Sequence, residues 1–127
     1  MTPIPSGYAP VNDLNMYYEA HGAGRPLVLI HGGLSTIETD SGRVLPTFAK
    51  TRRVIAVEQQ GHGHTADIDR PLTYEQMAED TAQLLRWLEI KSADFRAISS
   101  AFHLLGSPSF PGPRTSRSCT APIGCFR

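Results

Sequence analysis

Apolar positions follow two different periods along the first 95 residues. Residues 7–11 and 14–20 are short strand-like stretches on either side of Asn12-Asp13. Asn and Asp are the non-glycine residues that best tolerate positive φ, so the pattern predicts a β-hairpin with a two-residue turn. Leu27-Val28-Leu29-Ile30 is apolar without alternation, as in a strand covered on both faces, and it stops at His31-Gly32-Gly33. Val54-Ile55-Ala56-Val57 repeats the design and ends at Gly61-His62-Gly63. Between them, Val44, Leu45 and Phe48 suggest a short helix with Pro46 in its first turn.

From Thr73 the period changes to helical. Tyr74, Met77, Ala78, Thr81, Leu84, Leu85 and Leu88 fall on one face, and Thr73 with Gln76 three residues later predicts a capping box at the start. Residues 91–95 then begin another strand. A hairpin followed by strand, helix, strand, helix, strand implies a mostly parallel sheet with helices on its faces, in which ligands sit where the strands end.

Composition adds a boundary. The chain has 127 residues and a formal net charge of zero, but all twelve acidic residues lie between Asp13 and Asp94. Residues 96–127 hold four Arg, six Ser and four Pro, with no Asp, Glu or Lys. No apolar period continues past Leu105, so the expectation is a folded unit over 1–95 and an irregular tail over 96–127 in which no regular element docks. Zero net charge argues against a nucleic-acid partner, the longest apolar run is too short to span a bilayer, and Pro3, Pro5 and Pro10 interrupt any apolar leader, which leads to the expectation of a cytoplasmic protein without a membrane partner. Cys119 and Cys125 make neither a disulfide framework nor a zinc site.

The order of these pieces resembles the α/β-hydrolase family. The resemblance covers residues 7–95 and rests on the hairpin, the strand ending in His31-Gly32-Gly33, the strand ending in Gln60-Gly61-His62-Gly63, and the helix opening Leu72-Thr73-Tyr74. It implies hydrolysis of a small ester, lactone or similar carbonyl substrate by a serine nucleophile. It also implies an oxyanion role for the backbone N–H of Gly33, and it puts Ser99 at the nucleophile position with the N–H of Ser100 as second oxyanion donor.

This chain departs from the family pattern in three places. Glu58-Gln59-Gln60-Gly61-His62-Gly63 stands where Asp-x-Arg-Gly-x-Gly is frequent, and Ala97 and Ala101 replace both glycines of the Gly-x-Ser-x-Gly elbow. After Ser99 there is no Asp or Glu, and His103 is the only histidine, so a complete triad is not present. These features suggest a truncated or frame-shifted hydrolase, inactive alone, with a non-catalytic remnant or interaction module as the alternative.

Neither a cofactor nor a metal is expected. Gly61-His62-Gly63-His64-Thr65-Ala66 matches the dinucleotide fingerprint in letters, but residues 67–71 read as loop where a helix would have to open. His62 and His64, two residues apart in a turn, read as a solvated loop rather than as ligands.

Overall fold

The computed structural model describes residues 6–97 and 118–122, and for 97 and 118–122 the backbone only. The hairpin forms as the sequence predicts. Strands β1 (Ser6–Val11) and β2 (Leu14–His21) pair antiparallel, with Asn12 and Asp13 at φ of 48° and 66° in a turn whose twist matches the strands. Strands β3 (Arg25–Ile30) and β4 (Arg52–Val57) pair in parallel with Val28 opposite Ile55 and Ile30 opposite Val57, and β5 (Ser92–Ala97) flanks β3 on its other side. β2 joins β4 antiparallel, giving the order β1-β2-β4-β3-β5, with one further strand beyond β5.

The last strand corrects an expectation. β6 (Ser118–Pro122) pairs antiparallel with β5, Phe95 opposite Cys119, within a segment where the composition predicted no docked element. The physical reason lies in β5: its outer edge offers a row of backbone donors and acceptors that any extended segment can meet, whatever its side-chain pattern.

Two helical layers cover the sheet. α3 (Tyr74–Trp87) lies over β1 and the strands beside it, where Ala78, Ala82, Leu84 and Leu85 close a core with Met16, Val28, Ile30, Ile55, Val57 and Phe95. The opposite face is covered by α1 (Ile37–Ser41) and α2 (Leu45–Phe48), with Ile37 and Leu45 against Leu27, Leu29, Val54 and Ala56. α2 carries its proline at the start, as the sequence requires. α1 escaped the sequence pattern because its cap is Thr36 with Thr39 at the third position, and threonine there is not the usual signal.

The cap of α3 is half of what the sequence suggests. Thr73 accepts from the Gln76 N–H at 3.1 Å, but the Gln76 side chain does not return to the cap and donates to Asp80 Oδ1 at 2.9 Å. A buried carboxylate on the helix outcompetes the cap N–H for that amide, because an ionised acceptor makes the stronger bond.

Candidate active site

The carboxyl ends of β3 and β4 lie side by side because the two strands are parallel and in register, so the turns that leave them must share one space. The first turn is His31-Gly32-Gly33-Leu34. His31 is buried, and its Nε2 faces the Gln59 N–H at 2.9 Å. A backbone N–H can only donate, so Nε2 is the unprotonated nitrogen. The ring proton therefore sits on Nδ1 and is donated to the Gly32 carbonyl at 2.7 Å.

That bond sets the direction of the proposed oxyanion donor. The Gly32 carbonyl and the Gly33 N–H belong to one planar trans peptide and point in opposite directions, so the ring that holds the carbonyl also aims the N–H of Gly33. On the other side of Gly32, its own N–H donates to Asp40 Oδ2 at 2.6 Å, which anchors the turn to α1. Burial pushes the His31 pKa below its ordinary value of 6.5, against the opposing pull of the Gly32 carbonyl and the carboxylates of Glu58 and Asp40. The ring is thus held neutral, as its role as acceptor demands.

The second turn follows β4. Glu58, Gln59 and Gln60 are all buried, each tied to a different neighbour. Glu58 accepts from His64 Nδ1 at 2.7 Å and from the His64 N–H at 3.2 Å, and its carboxylate lies so close to Gly63 that a Cβ there would overlap it. With φ of 53°, Gly63 is required twice over. Gln59 donates to Thr81 of α3 at 2.8 Å. Gln60, standing where the family often has Arg, accepts from Arg70 Nε at 2.6 Å and donates to Asp67 at 2.7 Å. Its amide group thus ties the turn to the loop leading to α3.

The two glycine turns meet through their histidines. The His31 and His62 rings are 4.6 Å apart between centroids, inclined by 40°. His62 Nδ1 bonds the Gln60 carbonyl at 2.9 Å, and its Nε2 accepts the Leu34 N–H at 3.3 Å. The reading of His62 and His64 as solvated loop residues holds for His64, whose side chain is 64% exposed although it pairs with Glu58 and stacks on Tyr17 at 4.2 Å, whereas His62 is half-buried and bridges the turns. The sequence held a signal that was not used, since adjacent parallel strands ending in two His-Gly turns bring two imidazoles together.

Of the residues singled out in the sequence, Gly33 is placed at this junction, whereas Ser99, Ser100 and His103 lie outside the described residues. Ile30 is opposite Ala97, so β5 reaches its carboxyl end beside the turn that begins at His31. Among the described residues no group of three or more His, Cys, Asp or Glu side chains is placed to hold a metal. The dinucleotide fingerprint lacks its helix, because no helix opens between Gly61 and Tyr74. A cavity of about 530 Å³ lies between β2, the α1/α2 layer and the second turn, lined among others by Tyr17, His21, Leu45, Glu58, Gly63 and His64. No described helix is long and apolar enough to cross a membrane.

A parallel core behind an antiparallel hairpin, with glycine turns at the strand ends, is the arrangement of the α/β-hydrolases, and the described residues carry the opening strands of that fold. An enol-lactonase from Burkholderia xenovorans superposes with a TM-score of 0.71 at 27% identity, covering 76% of this chain and 38% of that one. A haloalkane dehalogenase from Bradyrhizobium elkanii gives 0.72 at 23% identity over 80% of this chain and 35% of its own. By sequence, the 2-hydroxy-6-oxo-6-(2'-aminophenyl)hexa-2,4-dienoic acid hydrolase of Metapseudomonas resinovorans is 41% identical over 61 residues, 46% of this chain and 21% of that protein. The chain therefore spans well under half the length of these relatives. No protein-family model matches it.

Proposed function

We propose that this chain carries the nucleophile and oxyanion side of a serine hydrolase acting on a small ester, lactone or similar carbonyl compound. The single observation that carries the reading is the register of β3 with β5. Ile30 and Ala97 are opposite each other, Gly33 follows the first by three residues, and Ser99 follows the second by two. Two residues of chain span at most about 7 Å, which supports a reading in which Ser99 attacks a carbonyl whose oxygen points at the Gly33 N–H. The enol-lactonase and the dienoic acid hydrolase among the similar proteins act, by their names, on compounds with carbonyl groups, which supports the substrate class.

In this reading the Ser99 hydroxyl gives its proton to solvent water as its oxygen bonds to the carbonyl carbon, the negative charge formed on the carbonyl oxygen is met by the N–H groups of Gly33 and Ser100, and collapse breaks the bond to the alkoxide or phenoxide, which leaves and takes up a proton from solvent, so that an acyl-serine remains. The sequence after Ser99 contains no Asp or Glu and one histidine, His103. Without a base to activate water, deacylation stalls, and the 127-residue chain is inactive in steady state.

Exposure of the purified chain to p-nitrophenyl acetate tests this. The expected result is a slow release of up to one equivalent of p-nitrophenolate, with turnover at background, and loss of that burst in Ser99→Ala. A burst unchanged by Ser99→Ala, or none at all, overturns the nucleophile assignment and leaves the non-catalytic remnant. Steady turnover abolished by the same substitution would instead show that a base is present.

A further inference from the structure

Leu34 is the least comfortable residue of the oxyanion turn. Its φ is 60°, in the left-handed region that a branched side chain disfavours, and its side chain is wholly exposed, so no packing compensates. What holds this backbone is on the other side of the residue. The Leu34 N–H donates to His62 Nε2 at 3.3 Å, and the same peptide contains the Gly33 carbonyl. Gly33 thus sits between two peptide planes, one held by His31 through the Gly32 carbonyl and the other by His62 through the Leu34 N–H, with a longer bond of 3.4 Å from the Ser35 hydroxyl to the Gly33 carbonyl.

The two struts differ. His31 is buried, and desolvation lowers its pKa, so its acceptor nitrogen stays unprotonated to lower pH than that of an ordinary histidine. His62 is only half-buried, lies in the loop after β4, and uses Nδ1 to donate to the Gln60 carbonyl. Proton uptake by His62 can therefore occur only at Nε2, the atom that accepts from Leu34. Two N–H donors would then face each other, and the contact becomes repulsive.

The carboxylates around the two rings are already engaged. Asp40 of α1 takes the Gly32 N–H, Glu58 of the β4 loop takes His64, and Asp67 takes Gln60 and the Ile68 N–H. Among the described residues no hydrogen bond runs from any of them, or from the His64 ring, to the His62 ring.

We propose that His62 is the positioning residue of the oxyanion turn, a proton-sensitive latch whose neutral Nε2 fixes the Gly33–Leu34 peptide and whose protonation releases it. Its bearing on catalysis rests on the assignment of Gly33 above. The latch itself does not, and it is tested without any turnover measurement.

The experiment is a pH titration of the ¹⁵N-labelled full chain, following the Leu34 and Gln59 amides together with the ring nitrogens of His62. The expected result is a Leu34 amide shift with the same midpoint as the His62 ring, while the Gln59 amide, bonded to His31, does not move at that midpoint. In His62→Gln, whose Oε1 can accept but does not titrate, the Leu34 amide keeps its hydrogen-bonded shift and loses that transition. A Leu34 amide that ignores the His62 midpoint, or that shows the same transition in His62→Gln, overturns the proposal. If His62→Gln does not fold, the wild-type titration decides alone. Failure of the acyl-serine experiment leaves this outcome untouched, so the two readings fall separately.

Discussion

Two aspartates, one toward each end of the sheet, hold arginine in opposite ways. Toward the carboxyl end, Asp80 of α3 is fully buried and receives Arg70 through both oxygens, Asn12 of the hairpin turn at 3.1 Å and Gln76 at 2.9 Å. Arg70 also reaches the Asn12 carbonyl and Gln60, so one ion pair joins the hairpin, the β4 turn and α3. At the amino end, Asp94 of β5 meets Arg25 at 3.0 Å and Arg52 at 2.5 Å, but Arg25 is 62% exposed. The chemistry is the same, but water reaches the Arg25 side of the second cluster, although Asp94 itself is only 14% exposed and Arg52 26%. A pair in water is screened and nearly neutral in free energy, whereas a buried carboxylate stripped of its partner has nowhere to put its charge.

The largest effect that tests this contrast is expected from Arg70→Met. It leaves Asp80 buried with only Asn12 and Gln76 as donors and should cost about 3 kcal/mol, read as a fall in the urea midpoint at unchanged slope. A loss under about 1 kcal/mol would mean that Asp80 is hydrated and that the two ends are alike.

A smaller effect follows from His31. Its folded pKa lies below its ordinary 6.5, so below that pH the unfolded chain binds more protons than the folded one. The stability present above pH 6.5 is therefore expected to decline as pH falls from there through the depressed folded value. In His31→Gln that part of the slope should flatten. An unchanged slope in the variant would show that another group carries it.

The smallest effect belongs to the amino end. Arg25→Ala should shift stability by less than about 1 kcal/mol, and the difference should shrink further in 0.5 M salt. A salt-independent loss as large as that of Arg70→Met would erase the contrast.

Much of this fold is legible in the sequence where a local rule and the tertiary structure agree. Asn12-Asp13 demands a turn with positive φ, the unbroken apolar runs at 27–30 and 54–57 demand cover on both faces, and Thr73 starts a helix of the right period. The ion pair that locks these elements is not legible, because Asp80 sits among apolar positions while its partner Arg70 comes from a loop that only the folded chain brings near. The same holds at the site. Gly33 is read from a glycine turn after a strand, whereas the part played by His62 depends on two strands 27 residues apart being neighbours in register, as Leu27 and Val54 are. β6 was missed for the opposite reason: edge pairing needs only backbone, and backbone has no sequence signature.

The central place of β3 has a consequence for the order in which the chain can be made. Among the described strands, β3 must wait longest for its second neighbour, since Leu27 pairs with Val54 on one side and with Asp94 on the other. At a synthesis rate of about 5 to 20 residues per second, β3 emerges several seconds before β5 does. During that interval Leu27-Val28-Leu29-Ile30 presents an unpaired edge, the kind of segment that recruits foreign strands or holdase chaperones. The hairpin, closed locally on the microsecond scale, is exempt from this delay. The nascent chain is thus most vulnerable at the strand that later becomes the best protected.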